Sequence, residues 1–199
     1  MIVLDIETSG ISPEENGIWQ IGAFEIENPD NSFLEEGRID ENDKIGEGAL
    51  LVTGKSKEYF LDKNKQSQKN LLISFFEWCK NAGIKNCLCQ TPQFDLGFIN
   101  LKARKYGLEI PFHYRAFDLH SIAQMKYYQI KKEFLFKENY SDMGLKNILD
   151  FCGMQDSRGV HNALEDCRLT GECFSRIIYG EGLLEEFKKF EIPDYLRKQ

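Results

Sequence analysis

An α/β sandwich built on a mixed sheet is what this sequence predicts, and three observations carry the prediction. Stretches with strand periodicity come first, over residues 2–7, 18–27 and 32–38, and strands then alternate with helix-length apolar patterns to the end of the chain. The 199 residues are 42% hydrophobic and 29% charged, the composition of an ordinary globular protein. That length suits one domain, and no repeat or Pro-, Gly- or Ser-rich linker divides it, so residues 1–199 are expected to form a single domain.

The elements follow in order. Ile2 to Glu7 reads as an opening strand, with Thr8-Ser9-Gly10 and a polar loop after it. Ile18 to Glu27 reads as a second strand, Asn28-Pro29-Asp30-Asn31 as a turn, and Ser32 to Arg38 as the returning strand of a hairpin. A loop follows with a short apolar piece, Ala49-Leu50-Leu51-Val52. Apolar residues at 71, 72, 75, 76 and 79 then mark a helix that Gly83 can stop. Ile84 to Cys89 is the next strand, and Thr91-Pro92 suits the N-cap and first residue of a helix ending at Gly107. Phe112 to Phe117 reads as a strand, Asp118 as the cap of a helix to about Tyr128, and Ser141 as the cap of another with apolar positions 145, 148, 149 and 152. A last long helix follows Asn162, with Ala163, Cys167, Phe174 and Ile177 along one face.

Composition excludes several classes. No stretch approaches the roughly 18 apolar residues of a membrane helix, and Asp5 interrupts any signal-peptide core, so no membrane association and a cytoplasmic location are expected. The six cysteines form no C-x-x-C pair, which predicts reduced, buried thiols. With 25 Lys and Arg against 32 Asp and Glu, the net charge of −7 argues against nucleic-acid binding by long-range attraction alone. It leaves room for an enzyme whose acidic cluster is neutralised by metal ions.

Three acidic features stand out. Asp5-Ile6-Glu7 ends the first strand, and side chains two apart in a strand share a face, so both carboxylates meet in one place. In Phe94-Asp95-Leu96-Gly97-Phe98, the two phenylalanines can anchor a helix while Asp95 stays in its first turn, beside the end of the preceding strand. In regular helix His161 and Asp166 would sit roughly 140° apart, but Asn162 as N-cap leaves His161 just outside, able to fold back toward Asp166. Each feature has an ordinary structural explanation when taken alone: polar alternation, a favourable helix dipole, an exposed helix start. Together they bring four carboxylates from one strand and two helix starts to the edge where α/β sheets gather their sites. Converging oxygen ligands of this kind suit Mg²⁺ or Mn²⁺.

These residues resemble a family, the DEDDh 3′→5′ exonucleases. Its three motifs match Asp5-Ile6-Glu7-Thr8, Phe94-Asp95 with Phe98, and His161 with Ala163 and Asp166, in family order and spacing from Asp5 to about Ile178. Val52-Thr53-Gly54, Asp118-Leu119 and the helix ending at Gly153 are weaker echoes. The resemblance implies a ribonuclease H-like fold, with a five-stranded mixed sheet whose second strand runs against the others. It implies hydrolysis of phosphodiesters from a 3′ end, releasing 5′-mononucleotides with two divalent ions, Mg²⁺ or Mn²⁺. Asp5, Glu7, Asp95 and Asp166 would be the metal ligands, His161 the general base, and Thr8 and Ser9 main-chain contacts to the terminal nucleotide. One departure is Gln90-Thr91, where the family mostly has His-Asn; a Thr can still cap the helix.

The partner implied is a nucleic acid 3′ end, DNA or RNA, expected to be single-stranded; a homodimer or a polymerase-type partner stays open. Lysines 126, 131, 132 and 137 interleave with aromatic residues from 127 to 140, a pattern suited to holding phosphates and stacking bases or, equally, to a solvated surface. Lys131 and Lys132 are the candidate phosphate contacts. A catalytically idle nucleic-acid-binding or scaffold module with the same fold is the alternative reading, and four mutually repelling carboxylates argue against it.

Overall fold

The computed structural model describes residues 1–83, 86–156 and 162–198. Strands β1 (Ile2–Thr8), β2 (Ile18–Glu25) and β3 (Asn28–Glu36) lead into helices α1 (Glu47–Thr53), α2 (Lys57–Phe60) and α3 (Gln68–Ala82). Strand β4 (Cys87–Cys89), helix α4 (Pro92–Tyr106), strand β5 (Ala116–Asp118) and helix α5 (Leu119–Lys131) follow. A small hairpin, β6 (Phe136–Lys137) and β7 (Tyr140–Ser141), precedes helices α6 (Leu145–Phe151) and α7 (Ala163–Tyr179). The main sheet has five strands in the order β3-β2-β1-β4-β5. β2 runs antiparallel to both neighbours while β1, β4 and β5 are parallel, the mixed sheet that was expected.

Alternation along β1 divides the molecule into layers. Ile2, Leu4 and Ile6 face the core shared with α3 and α4, and Val3 faces the core shared with α5, α6 and α7. Asp5 and Glu7 continue the face of Val3, so they point to the side covered by α7. All six cysteines are free and buried, as expected for structural thiols. Among the described residues no helix is long and apolar enough to cross a membrane.

Several boundaries differ from the sequence reading, and the apolar piece Ala49-Leu50-Leu51-Val52, read as part of a loop, lies in helix α1. The first turn is made by Ile26 and Glu27, with Glu25 paired to Asn28, so the Asn28–Asn31 cluster is strand and not turn. Pro29 is tolerated there because β3 is an edge strand. Ser141 does not cap α6: it pairs with Phe136 in the hairpin, and its hydroxyl meets His120 Nε2 at 2.7 Å and accepts from Gln124 Nε2 at 2.5 Å. Gly144 is the N-cap instead. The strand anticipated from 112 contracts to Ala116–Asp118, because β4, its partner, is itself only three residues long. The first two residues of the anticipated 84–89 strand, and His161, lie outside the described residues.

Candidate active site

The site is assembled by backbone contacts that bring α7 and α4 to the C-terminal end of β1. Asp5 lies opposite Gly22 in the β1–β2 ladder. The missing side chain at Gly22 lets the first turn of α7 press onto β2: a Cβ there would sit 2.3 Å from the Ala163 carbonyl carbon and Leu164 nitrogen. Gln20 fastens the same turn, its Oε1 accepting from Ala163 N at 2.9 Å. Asn162 caps the helix as the sequence indicated, taking the N–H groups of Leu164 and Glu165. One turn into α7, Asp166 is thereby brought to the face of Asp5 and Glu7. One oxygen from each of Asp5, Glu7 and Asp166 lies within 4.8 Å of the other two. Carboxylate oxygens about 2.1 to 2.5 Å from a shared ion have this separation, so the trio fits a hard divalent cation.

Asp95 arrives from the other layer. Pro92 opens α4, Leu96, Phe98 and Ile99 bury its inner face, and Asp95 sits in its first turn. The recorded β1–β4 pairing covers Ile2–Cys87 and Val3–Leu88, so further along β1 the N–H of Ile6 needs another acceptor. Asp95 Oδ1 accepts it at 3.2 Å, which ties this carboxylate to the backbone between Asp5 and Glu7. Burial pushes the Asp95 carboxyl up to about 7 and the charge of Glu7 pushes the same way, against the hydrogen bonds from the Ile6 N–H and its own backbone. A nearby cation would restore the ionised form. Burial likewise raises the thiols of Cys89 and Cys167, near the carboxylates, well above their ordinary range.

Two cavities flank the carboxylates. One, of about 640 Å³, includes Glu7 and Thr8 and is walled by Ile11, Ile45, Ala49 and Val52. Lys44, Ile45 and Gly46 also line it, and they follow Asp43, which accepts from buried Lys102 at 2.9 Å and from Gln68 at 2.8 Å. The other, of about 440 Å³, includes Asp5 and Asp166 together with Gln90, Asp142, Lys146 and Asn147. Val52 and Thr53 were visible in sequence as a weak echo, as was the helix that begins at Leu145; Asp142, Lys146 and Asn147 were not marked as site residues, because the hairpin β6–β7 is what precedes them at this edge.

The remaining candidates fall differently. Thr8 lines the first cavity. Ser9 is buried behind it: its N–H goes to Gly17 O, its carbonyl takes the Gly46 N–H, and its hydroxyl bridges Gly17 N and Lys44 O. Ser9 therefore closes the loop with its own main-chain groups and hydroxyl. Lys131 and Lys132 line neither cavity. They end α5, where Lys131 lies over the Tyr195 ring and Lys132 Nζ donates to Gln129 O at 2.9 Å. Thr91 is the N-cap of α4, as expected, but its hydroxyl donates to Gln90 Oε1 at 2.7 Å and makes no cap hydrogen bond to the helix.

Comparison with known proteins agrees with this architecture. Residues 2–174 match the family described as RNase T-type exonuclease. The PolC-type DNA polymerase III of Thermotoga petrophila is 28% identical over 180 residues, covering 89% of this chain and 12% of that protein. DNA polymerase III subunit epsilon of Buchnera aphidicola subsp. Baizongia pistaciae is 32% identical over 107 residues, 50% of this chain and 41% of that one. The chain thus spans about an eighth of the length of the PolC-type relative. Among solved structures, the nuclease domain of 3′hExo, a DEDDh family member bound to rAMP, superposes with a TM-score of 0.69 at 16% identity, over 97% of this chain and 95% of that one. With a family match over most of its length and a ribonuclease H-like sheet carrying the three acidic motifs, the chain belongs to the RNase T-type exonuclease family.

Proposed function

We propose that this chain hydrolyses phosphodiester bonds of DNA or RNA one nucleotide at a time from a free 3′ end, releasing 5′-mononucleotides, and that residues 1–199 act as a single exonuclease domain. The observation that carries the reading is the meeting of Asp5, Glu7 and Asp166, with Asp95 beside them, between two cavities. Divalent cations, Mg²⁺ or Mn²⁺, held by these carboxylates would lower the pKa of the attacking water and stabilise charge developing on the leaving 3′ oxygen. Asp5 is assigned to both ions, Glu7 and Asp166 to the one on the water side, and Asp95 to the other. His161 is assigned by its place in the motif as the base that takes the water's proton, since imidazole is the side chain that titrates near neutrality.

The cavity beside Glu7 and Thr8 has the size and apolar walls to receive the terminal nucleoside. The rAMP bound by 3′hExo is a product of the class proposed here. A polymerase-type partner belongs to the reading because relatives are named as DNA polymerase III proteins. A cytoplasmic location goes with it, where six buried cysteines remain thiols. The test is product analysis on single-stranded and duplex DNA and RNA oligomers carrying either a 3′-hydroxyl or a 3′-phosphate, alongside a circular single strand. Release of 5′-mononucleotides from 3′-hydroxyl ends, with the other two resistant, is expected. Cleavage of the circle, or products bearing 3′-phosphates, would overturn the reading.

A further inference from the structure

The two cavities on either side of the carboxylates divide the work of holding a strand. If the scissile phosphate sits at the carboxylates and the leaving nucleotide in the apolar cavity beside Glu7, the rest of the strand must depart through the cavity beside Asp5 and Asp166. That cavity is polar, and Lys146 is the one cation among its described lining residues. Gln90 and Asn147 are its neutral donors. With Gln90 Oε1 engaged by Thr91, the amide N–H groups are what Gln90 has left to offer.

Lys146 is not placed there by helix stability. Leu145, Ile148 and Leu149 form the face of α6 that packs into the core, which leaves Lys146 exposed on the flank in the first turn. A cation near a helix N-terminus opposes the helix dipole, so this position costs a little local stability. Among the described residues Lys146 makes no ion pair, although Asp5, Asp142 and Asp166 line the same cavity. Four carboxylates matched by two divalent ions make a neutral cluster, which leaves the charge of the next phosphate along the strand uncompensated. We propose that Lys146, with Gln90 and Asn147 beside it, binds the phosphate one step upstream of the scissile bond, and so positions the 3′ end of a nucleic acid strand for cleavage.

This rests on the exonuclease reading and adds to it a phosphate subsite on the strand side of the carboxylates. The test crosses a protein charge with a substrate charge. Lys146→Ala, Lys146→Arg and the wild type are assayed with Mn²⁺ on a short single-stranded oligonucleotide, either all-phosphodiester or carrying one neutral methylphosphonate at the second linkage from the 3′ end. On the all-phosphodiester strand Lys146→Ala should lower kcat/KM about 10- to 100-fold, the range for a lost charge-assisted hydrogen bond, with the change in KM. Lys146→Arg should recover most of it. On the methylphosphonate strand wild type and Lys146→Ala should be equal. Equal losses on both strands would assign Lys146 to the scissile phosphate or to local structure, and no loss on either would make it a bystander; both results overturn the proposal. A wild type that cleaves neither strand would instead mark failure of the exonuclease reading itself.

Discussion

Gly22→Ala tests how the site is built without touching any candidate ligand. The added Cβ would lie 2.3 Å from the Ala163 carbonyl carbon and the Leu164 nitrogen, and both are backbone atoms that cannot rotate away. Restoring an ordinary contact of 3.4 Å requires the start of α7 to withdraw from β2 by roughly 1.1 Å. Asp166 rides on that turn, its N–H bonded to Asn162 O at 3.0 Å, whereas Asp5 stays in the sheet opposite residue 22. The carboxylates would part by a distance of this order. Overpacking at such a site costs about 1–3 kcal/mol of stability, and a misplacement of about 1 Å at a reacting centre costs about 100-fold in rate. The assay is mononucleotide release in Mn²⁺ together with thermal melting by circular dichroism. Gly97→Ala is the control, since its Cβ would meet nothing within 4 Å. A folded Gly22→Ala protein with wild-type kcat/KM would refute the claim that close approach of α7 to β2 sets the carboxylate geometry.

Other perturbations have definite expected outcomes. The Asp95 carboxyl stands at about 7 in the folded protein against an ordinary 3.8, so between these values the folded state holds a proton that the unfolded chain has released. Its contribution to stability is therefore full below about pH 4 and is lost as pH rises to 7; in chelator, Asp95→Asn should show a smaller fall in melting temperature from pH 5 to pH 8 than wild type, and identical slopes would contradict the burial argument. Asp43→Ala strands the ammonium of Lys102, whose side chain is only 1% exposed, and should cost about 3–5 kcal/mol in urea unfolding. Asp43→Leu with Lys102→Met should regain much of that, and a single Asp43→Ala variant as stable as wild type would exclude this network as the support of residues 44–46. His161→Asn should keep wild-type metal affinity in calorimetry while turnover at neutral pH falls at least 100-fold; wild-type turnover would remove the histidine from the chemistry.

Sequence patterning exposed the parts of the fold that depend on local rules. The Asn162 N-cap of α7 and the Gly83 and Gly107 stops of α3 and α4 are decided within a turn of the residue concerned. Period-two alternation was enough to put Asp5 and Glu7 on one face of β1. Ser141 failed as a cap because its hydroxyl is taken by His120 and Gln124, which are 21 and 17 residues away and invisible to a local rule. Asn28-Pro29-Asp30-Asn31 failed as a turn because edge strands accept residues that a central strand rejects. The direction of Lys131 and Lys132, the phosphate contacts expected from composition, depends on where α5 ends and on the C-terminal segment that carries Tyr195. Lys146 was not singled out within its helix, because its place beside the carboxylates follows from the β6–β7 hairpin and the Gly144 cap. Local rules placed each carboxylate on its own strand or helix start, and the order and spacing of the three motifs indicated that Asp5, Asp95 and Asp166 would meet.

The central claim is that the carboxylates at the end of β1 perform metal-dependent exonucleolysis, and Asp5→Asn tests it most directly. This isosteric change keeps the pairing of residue 5 with Gly22 and removes one charge from the group formed with Glu7 and Asp166. A 5′-labelled single-stranded oligomer is incubated with equal amounts of wild type and Asp5→Asn in Mg²⁺, in Mn²⁺ and in chelator, and the products are resolved at single-nucleotide spacing. Progressive shortening from the 3′ end by the wild type in either metal is predicted, with no shortening in chelator and at least a 1,000-fold slower rate for Asp5→Asn, the cost of losing about 4 kcal/mol of transition-state stabilisation. Shortening by Asp5→Asn at the wild-type rate, or by the wild type in chelator, would contradict it.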